Sequence, residues 1–247
     1  MVIDPVIAGL TLRQSLARRR WMIVAFVAAL PVVMAALIRI YSDLDEDTLT
    51  TVASILSGLS LTVVVPVVAL TLASAGFGAE VDDGTVVYLL TKPIGRSRIA
   101  VTKLAVTACI AALFNGVSTF AAGMITVHGA DASRLDAGYT VAAIVGSVLY
   151  TAIFLALGLI TRRGMLVGLV YLVVWEGVLG RLFAGTRTFS VREYMLSITD
   201  AVASVKAGIV SAHLAHATAY YMSAAIAALA LGYCIHRLRT FEVGQSG

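Results

Sequence analysis

Six apolar stretches divide this chain, and no other feature restricts its fold as much. They run at about 21–40, 51–77, 104–127, 139–160, 165–183 and 217–235. A helix rises about 1.5 Å per residue, so about 20 apolar residues cover the ~30 Å hydrocarbon core of a bilayer. Inside lipid a backbone must satisfy its own hydrogen bonds, and segments of this length do so as helices. The expected fold is therefore an all-α integral membrane protein with six transmembrane helices, forming a single transmembrane domain over residues 1–247. Composition agrees: 60% of the residues are apolar and 13% charged, against about 25% charged in a soluble domain. This excludes an ordinary soluble globule and a disordered chain. Two cysteines, Cys109 and Cys234, are too few for a disulfide scaffold. Both lie in apolar runs and read as small core residues.

Lysine and arginine beside the spans set the expected orientation. With the N-terminus cytoplasmic, the inner side carries Arg13, Arg18, Arg19, Arg20, Lys92, Arg96, Arg98, Lys103, Arg162, Arg163, Arg237 and Arg239. The outer side carries half as many: Arg39, Arg134, Arg181, Arg187, Arg192 and Lys206, with Asp43, Asp45, Glu46 and Asp47 among them. Both termini are thus expected in the cytoplasm and the protein in the cell membrane. The net charge of +4 reflects this bias and not a nucleic-acid surface. Small outer loops argue against a large receptor on that side. The first apolar run follows its basic cluster as a signal peptide would, but it exceeds the 7–15 residues of a signal core and reads as a retained span.

Several local signals refine this outline. Asp4-Pro5 caps a helix in which Ile3, Val6, Ile7 and Leu10 recur at helical spacing, an amphipathic helix for the inner membrane surface. Pro66, midway along the second stretch, is expected to kink it. The region from Ala184 to His216 mixes charged and apolar residues, leaving room for short interfacial helices or a re-entrant piece.

The segment from Gly78 to Lys103 is the most informative. Asp82 and Asp83 can cap a short helix bearing Val86, Val87, Leu89 and Leu90; Pro93 and Gly95 end it, and Ser97 caps the helix entering span three. An apolar helix between charged flanks, outside the spans, either meets another polypeptide or lies flat in the headgroups.

The pattern Glu80, Gly84-Thr85, Leu89-Leu90, Pro93, Arg96, Ile99, Lys103 resembles the signature of ABC-2 type transporter permeases, the membrane subunits of ATP-binding-cassette exporters. The likeness extends to the N-terminal helix, the six spans, and the stretch from Trp175-Glu176-Gly177 to Ser190 and Tyr194. The resemblance implies a coupling helix between spans two and three that docks on an ATPase subunit, with Val86, Val87, Leu89 and Leu90 facing it and Gly84 and Pro93 bounding it. It implies two separate ATPase subunits, which hold ATP and Mg, and a second permease, identical or homologous. The chain itself carries no Gly-x-x-x-x-Gly-Lys-Ser/Thr phosphate loop and is expected to bind no cofactor and to be no enzyme. Arg96 and Lys103 are expected to pair with acids of the ATPase or to meet headgroups, and Glu80 to pair with a basic residue at the base of the bundle.

Other residues invite a role. Glu176, inside span five, either belongs to a transport pathway or gate or makes a structural hydrogen bond or ion pair, with Arg39 as the expected partner. Asn115, near Ser118 and Thr119, either packs helices together or lines a route. His213 and His216 could share a helix face around a metal, though no third ligand stands near and an interfacial pair is the expected reading. Gly58-Leu59-Ser60-Leu61 with a late histidine superficially resembles an intramembrane protease, without a supporting oxyanion group. A non-transporting anchor or assembly subunit is the other alternative.

Overall fold

The computed structural model describes residues 4–15, 18–41, 48–78, 95–126, 130–161, 163–180, 184–204, 209–210 and 212–240. These residues are helical with short connections, and no strand occurs among them. In chain order the helices are α1 (Pro5–Ser15), α2 (Arg18–Tyr41), α3 (residues 48–78), α4 (Arg96–Thr126), α5 (Ala130–Ile160), α6 (Gly164–Leu179), α7 (Val191–Ala203) and α8 (His216–Thr240). Successive long helices run up and down. One end of the bundle gathers α1, Gly76, Arg96 and the C-terminus of α8, and is called the Arg96 end. The opposite end holds Arg39, Ile125 and the start of α8.

Among the described residues, five helices are long and apolar enough to cross a membrane: Arg20–Tyr41, Ala53–Gly76, Arg96–Thr126, Arg134–Ile160 and His216–Thr240. The expected sixth, at 165–183, is represented among the described residues by a shorter apolar helix, Gly164–Leu179, and residues 181–183 lie outside them. Here α6 comprises 7 α-helical and 9 π-helical residues, short of the ~20 that a perpendicular span needs. Two boundaries move. Spans three and four begin at Arg96 and Ala130, before the apolar runs that open at 104 and 139. Each has 31 residues, about 46 Å of helix, so both extend beyond a ~30 Å hydrocarbon core.

Helix α5 is the central post. It packs on α3, α4, α6, α7 and α8, and 61% of its most apolar window is buried, against 22% for α2 and 17% for α8. Tyr139, Tyr150, Leu135, Leu155 and Leu159 fill the space around it. The outer surface is lined with large apolar side chains such as Phe26, Ile40, Leu113, Val117, Met124 and Leu229. In water so much exposed apolar area would drive aggregation, whereas lipid accepts it.

Pro66 is accommodated without breaking α3. A π-helical stretch, Leu56–Val64, precedes it, and its wider turn makes room for a proline ring and a missing N–H inside a continuous helix. In α1, the Asp4 carboxylate accepts from the Val6 and Ile7 backbone N–H groups at 2.9 and 3.4 Å, as the cap signal predicts. Ile7, Thr11 and Ser15 form its buried stripe, while Val6, Leu10 and Leu12 remain exposed.

Between 184 and 204 the chain folds inward. A 3-10 turn, Ala184–Phe189, leads into α7, whose Val191, Tyr194, Met195, Leu196, Ser197, Ile198 and Thr199 are buried. This is more burial than interfacial helices lying on a surface would show. α7 fits against α5 at Gly138, where a Cβ would meet the Thr199 carbonyl oxygen at 2.8 Å.

Candidate functional site

Two groups of polar side chains stand out against the apolar bundle. The first lies at the Arg96 end, beside the expected coupling segment. Glu80, Gly84, Thr85, Val86, Val87, Leu89, Leu90 and Pro93 lie outside the described residues, whereas Arg96, Ile99 and Lys103 lie within them. All three are on the first two turns of α4. Ile99 is buried against the core. Lys103 is also buried, at 1% exposure, and its Nζ donates to the Gly76 carbonyl at 3.1 Å. The expectation that this ammonium meets headgroups or a partner's acid is therefore corrected. α4 begins early, so Lys103 lies well inside the bundle, and its side chain ties α4 to the end of α3.

Arg96 likewise turns to its own chain. Its Nη1 donates to the carbonyls of Leu238 and Arg239 at 2.6 and 2.7 Å. The last carbonyls of a helix have no partner within it, and the helix dipole places partial negative charge there, so a guanidinium suits both needs. A third tie joins α1, where the Asp4 backbone N–H donates to Thr102 Oγ1 at 3.1 Å. The start of α4 thus holds α1, α3 and α8 through residues Arg96, Thr102 and Lys103.

The second group surrounds Glu176, which is 4% exposed. One carboxylate oxygen accepts from Ser190 Oγ at 2.6 Å, the other from the Val191 N–H at 2.9 Å and from the Tyr171 hydroxyl at 3.4 Å. Val191 opens α7, so a carboxylate from α6 caps another helix at its positive end. Ser190 makes no side-chain cap to α7 because its hydroxyl serves Glu176. Neighbouring bonds reinforce the link: Trp175 Nε1 donates to Phe189 O at 3.3 Å, Thr186 Oγ1 to Leu179 O at 2.6 Å, and Tyr194 OH to Thr188 O. The expected Arg39 partner is elsewhere, donating to Ile125 O at 3.0 Å.

Between these groups runs an interhelical seam. Asn115 is 0% exposed, and its Nδ2 donates to Ser147 Oγ at 2.9 Å and Val65 O at 3.4 Å, joining α4 to α5 and α3. Ser60 and Thr119 share a hydrogen bond at 2.6 Å, and Ser118 donates to Ala28 O. Ser60 is thus engaged with a threonine, and the histidines of the protease reading pair with acids instead. His213 Nδ1 lies 3.3 Å from Glu193 Oε2, and His216 Nε2 lies 3.0 Å from Asp200 Oδ2. The two histidines take different partners, and among the described residues no group of three or more His, Cys, Asp or Glu could hold a metal. Cys234 is buried as expected; Cys109 is exposed on the apolar surface, contrary to its reading as a core residue.

Three features had weak sequence signals. The tie from Arg96 to α8 joins residues 142 and 143 positions apart, which no local spacing reveals. The Ser190–Glu176 bond depends on the chain turning back after α6. Burial of Lys103 did leave a trace, since Thr102, Lys103 and Thr107 place polar side chains along the early turns of an otherwise apolar helix.

No curated protein matches the chain. The family model described as ABC-2 family transporter protein matches residues 14–179, taking in α2 to α6, the whole 79–94 segment, Lys103, Asn115 and Glu176. The chain belongs to the ABC-2 family of transporter proteins, as a multi-pass membrane component and not a catalytic subunit.

Proposed function

We propose that this chain is the permease subunit of an exporter in the cell membrane, working as a pair of identical or homologous permeases with two cytoplasmic ATP-binding-cassette ATPases. The coupling helix lies within the patterned segment between Glu80 and Lys103. Val86, Val87, Leu89 and Leu90 present its apolar face to the ATPase, Gly84 and Pro93 bound it, and Glu80 pairs with a basic residue at the base of the bundle. ATP and Mg are held by the ATPase. When the two ATPases close on ATP, they push the coupling helices and rock the permeases between inward and outward access.

The family match over residues 14–179 carries this reading, because it contains the entire patterned segment from Glu80 to Arg96 and on to Lys103. The distribution of charge supports the orientation, with residues 4 and 240 both on the cytoplasmic side: Arg13, Arg96, Arg98, Arg237 and Arg239 gather at the Arg96 end. α1 lies along that membrane surface, with Val6, Leu10 and Leu12 available to lipid. α6, though short, completes a sixth crossing together with α7, which follows it inward and out again. Asn115 and Glu176 hold helices in place and do not touch cargo; their burial at 0% and 4% exposure supports this.

The test uses the full chain co-expressed with an ATP-binding-cassette ATPase. Leu89→Asp is expected to reach the membrane normally but to retain less than about a tenth of the co-purifying ATPase, since a carboxylate buried in an apolar contact is costly unless paired. Normal recovery of the ATPase would overturn the reading.

A further inference from the structure

We propose that the lipid-facing cleft between α4 and α5 binds a single-chain amphiphile with an ammonium head, Asp136 and Thr140 receiving the head and the apolar cleft the chain. The site stands apart from the coupling segment and does not depend on the export reading.

Asp136 lies in the span Arg134–Ile160 at 3% exposure, and its Oδ1 has no hydrogen-bond partner. Among the described residues no ion pair reaches it, and Arg39, at the same end of the bundle, is engaged by the Ile125 carbonyl. A buried carboxylate without a cation is costly inside a membrane, and such an acid marks a place where a ligand or ion completes the site. One turn further along α5, Thr140 Oγ1 is also buried without a partner. Side chains four apart on a helix have Cβ atoms about 5–6 Å apart. One ammonium seated between them meets both oxygens at hydrogen-bond length once the carboxylate turns from Gly123 toward Thr140.

The same seam supplies the place for a chain. A Cβ on Gly123 would collide with the Asp136 carboxylate, and two turns earlier on α4 a Cβ on Gly116 would meet Ile144 Cγ1 at 3.1 Å. Along this line of close approach α4 and α5 leave a cleft of about 460 Å³, whose lining includes Cys109, Ala112, Gly116, Phe120, Thr140 and Ile144. That volume is within the range of small-molecule sites. Cys109, Phe120 and Ile144 are exposed, so the cleft opens to lipid. Thr140 belongs to both parts and joins the polar pair to the apolar floor. From Cys109 to Phe120 α4 rises about 16 Å, the length of a chain of roughly twelve carbons. A helix of a second protein, about 10 Å across, is too wide to enter. A phospholipid would bring its phosphate against Asp136, where like charges repel.

The experiment measures binding of radiolabelled dodecylamine to the full chain in phosphatidylcholine nanodiscs, with empty nanodiscs subtracted. Saturable binding of about one amine per chain is expected. Asp136→Asn, which keeps the shape and removes the charge, should weaken it at least tenfold, and Thr140→Val about threefold. Ala112→Phe fills the cleft, leaves both polar groups in place and should weaken it at least tenfold. Uncharged dodecanol should compete at least tenfold less well than dodecylamine. If Asp136→Asn fails to accumulate in membranes, Thr140→Val and Ala112→Phe carry the same comparison. Absence of saturable binding overturns the proposal, as does undiminished binding in Asp136→Asn or Ala112→Phe. Equal competition by dodecanol overturns the ammonium head. A disulfide between Cys109 of two copies, formed on oxidation in native membranes, would seat a second copy on the cleft and overturn the proposal likewise.

Discussion

The two ends of the bundle solve the same problem in opposite ways. Both must satisfy helix termini with little water at hand. At the Arg96 end, cations do this work: Arg96 meets the carbonyls that finish α8, and Lys103 meets the Gly76 carbonyl near the end of α3. In the opposite half, acids do it: Glu176 accepts from the N–H that opens α7, while Glu193 and Asp200 meet His213 and His216. Arg96 and Lys103 complement the helix ends they meet, and Glu176 and Glu193 lie at the start of α7, whereas Asp200, in its last turn, is met by His216. The mechanical results differ. Cationic ties at the Arg96 end join elements far apart in sequence, α4 to α3 and to α8. The acid ties fasten α7 into a closely fitted slot on α5.

If that contrast is sound, stability should be most sensitive where α7 meets α5. Gly138→Val should have the largest effect, about 3 kcal/mol of destabilisation, because its side chain would meet the Thr199 backbone oxygen and not a flexible side chain. Thermal unfolding in detergent measures it, and a change near zero would break the picture of a fitted slot. Glu176→Ala should follow at about 2 kcal/mol, having left Ser190 Oγ and the Val191 N–H without their acceptor, whereas Glu176→Gln keeps an acceptor and should cost less than half as much. Equal losses for the two variants would show that charge, and not hydrogen bonding, holds α7.

Smaller effects are expected at the Arg96 end. Lys103→Met keeps the bulk and removes a buried charge, so the lost bond to Gly76 and the relieved desolvation largely offset each other, leaving a net change of about 1 kcal/mol. Faster hydrogen exchange at residues 74–78 should nevertheless report the loosened tie; unchanged exchange would place the hold on α3 elsewhere. His216→Ala should be the weakest, below about 0.5 kcal/mol, since both partners are exposed at 49% and 36%. A larger loss would give the opposite end an electrostatic clasp where packing is now thought to suffice.

Much of the bundle was legible in the sequence, because hydropathy over long windows reports which segments enter lipid. The starts of α2 and α8, the helix capped by Asp4, and the interhelical place of Asn115 all follow from local pattern. Hydropathy cannot report which face of a helix turns inward, so Lys103 read as a border residue although it points at Gly76. The fold of 184–216 was the least legible part. Its burial depends on Gly138 and Gly146 of α5 accepting α7, and a glycine's lack of side chain signals nothing until the opposing helix is known. Trp175, Glu176, Ser190 and Tyr194, noted together through the family resemblance, prove to be joined by the bonds that turn α6 back into α7.

The most direct measurement of the account contrasts the two ends in one assay. A photo-crosslinking amino acid is placed at position 89, in the proposed coupling helix, and in a separate protein at position 41, where Tyr41 is 84% exposed at the opposite end. Each full-length protein is co-expressed with the ATP-binding-cassette ATPase and irradiated. The account predicts an ATPase adduct from position 89 and none from position 41. An adduct from position 41, or none from position 89 while the ATPase remains bound, would contradict it.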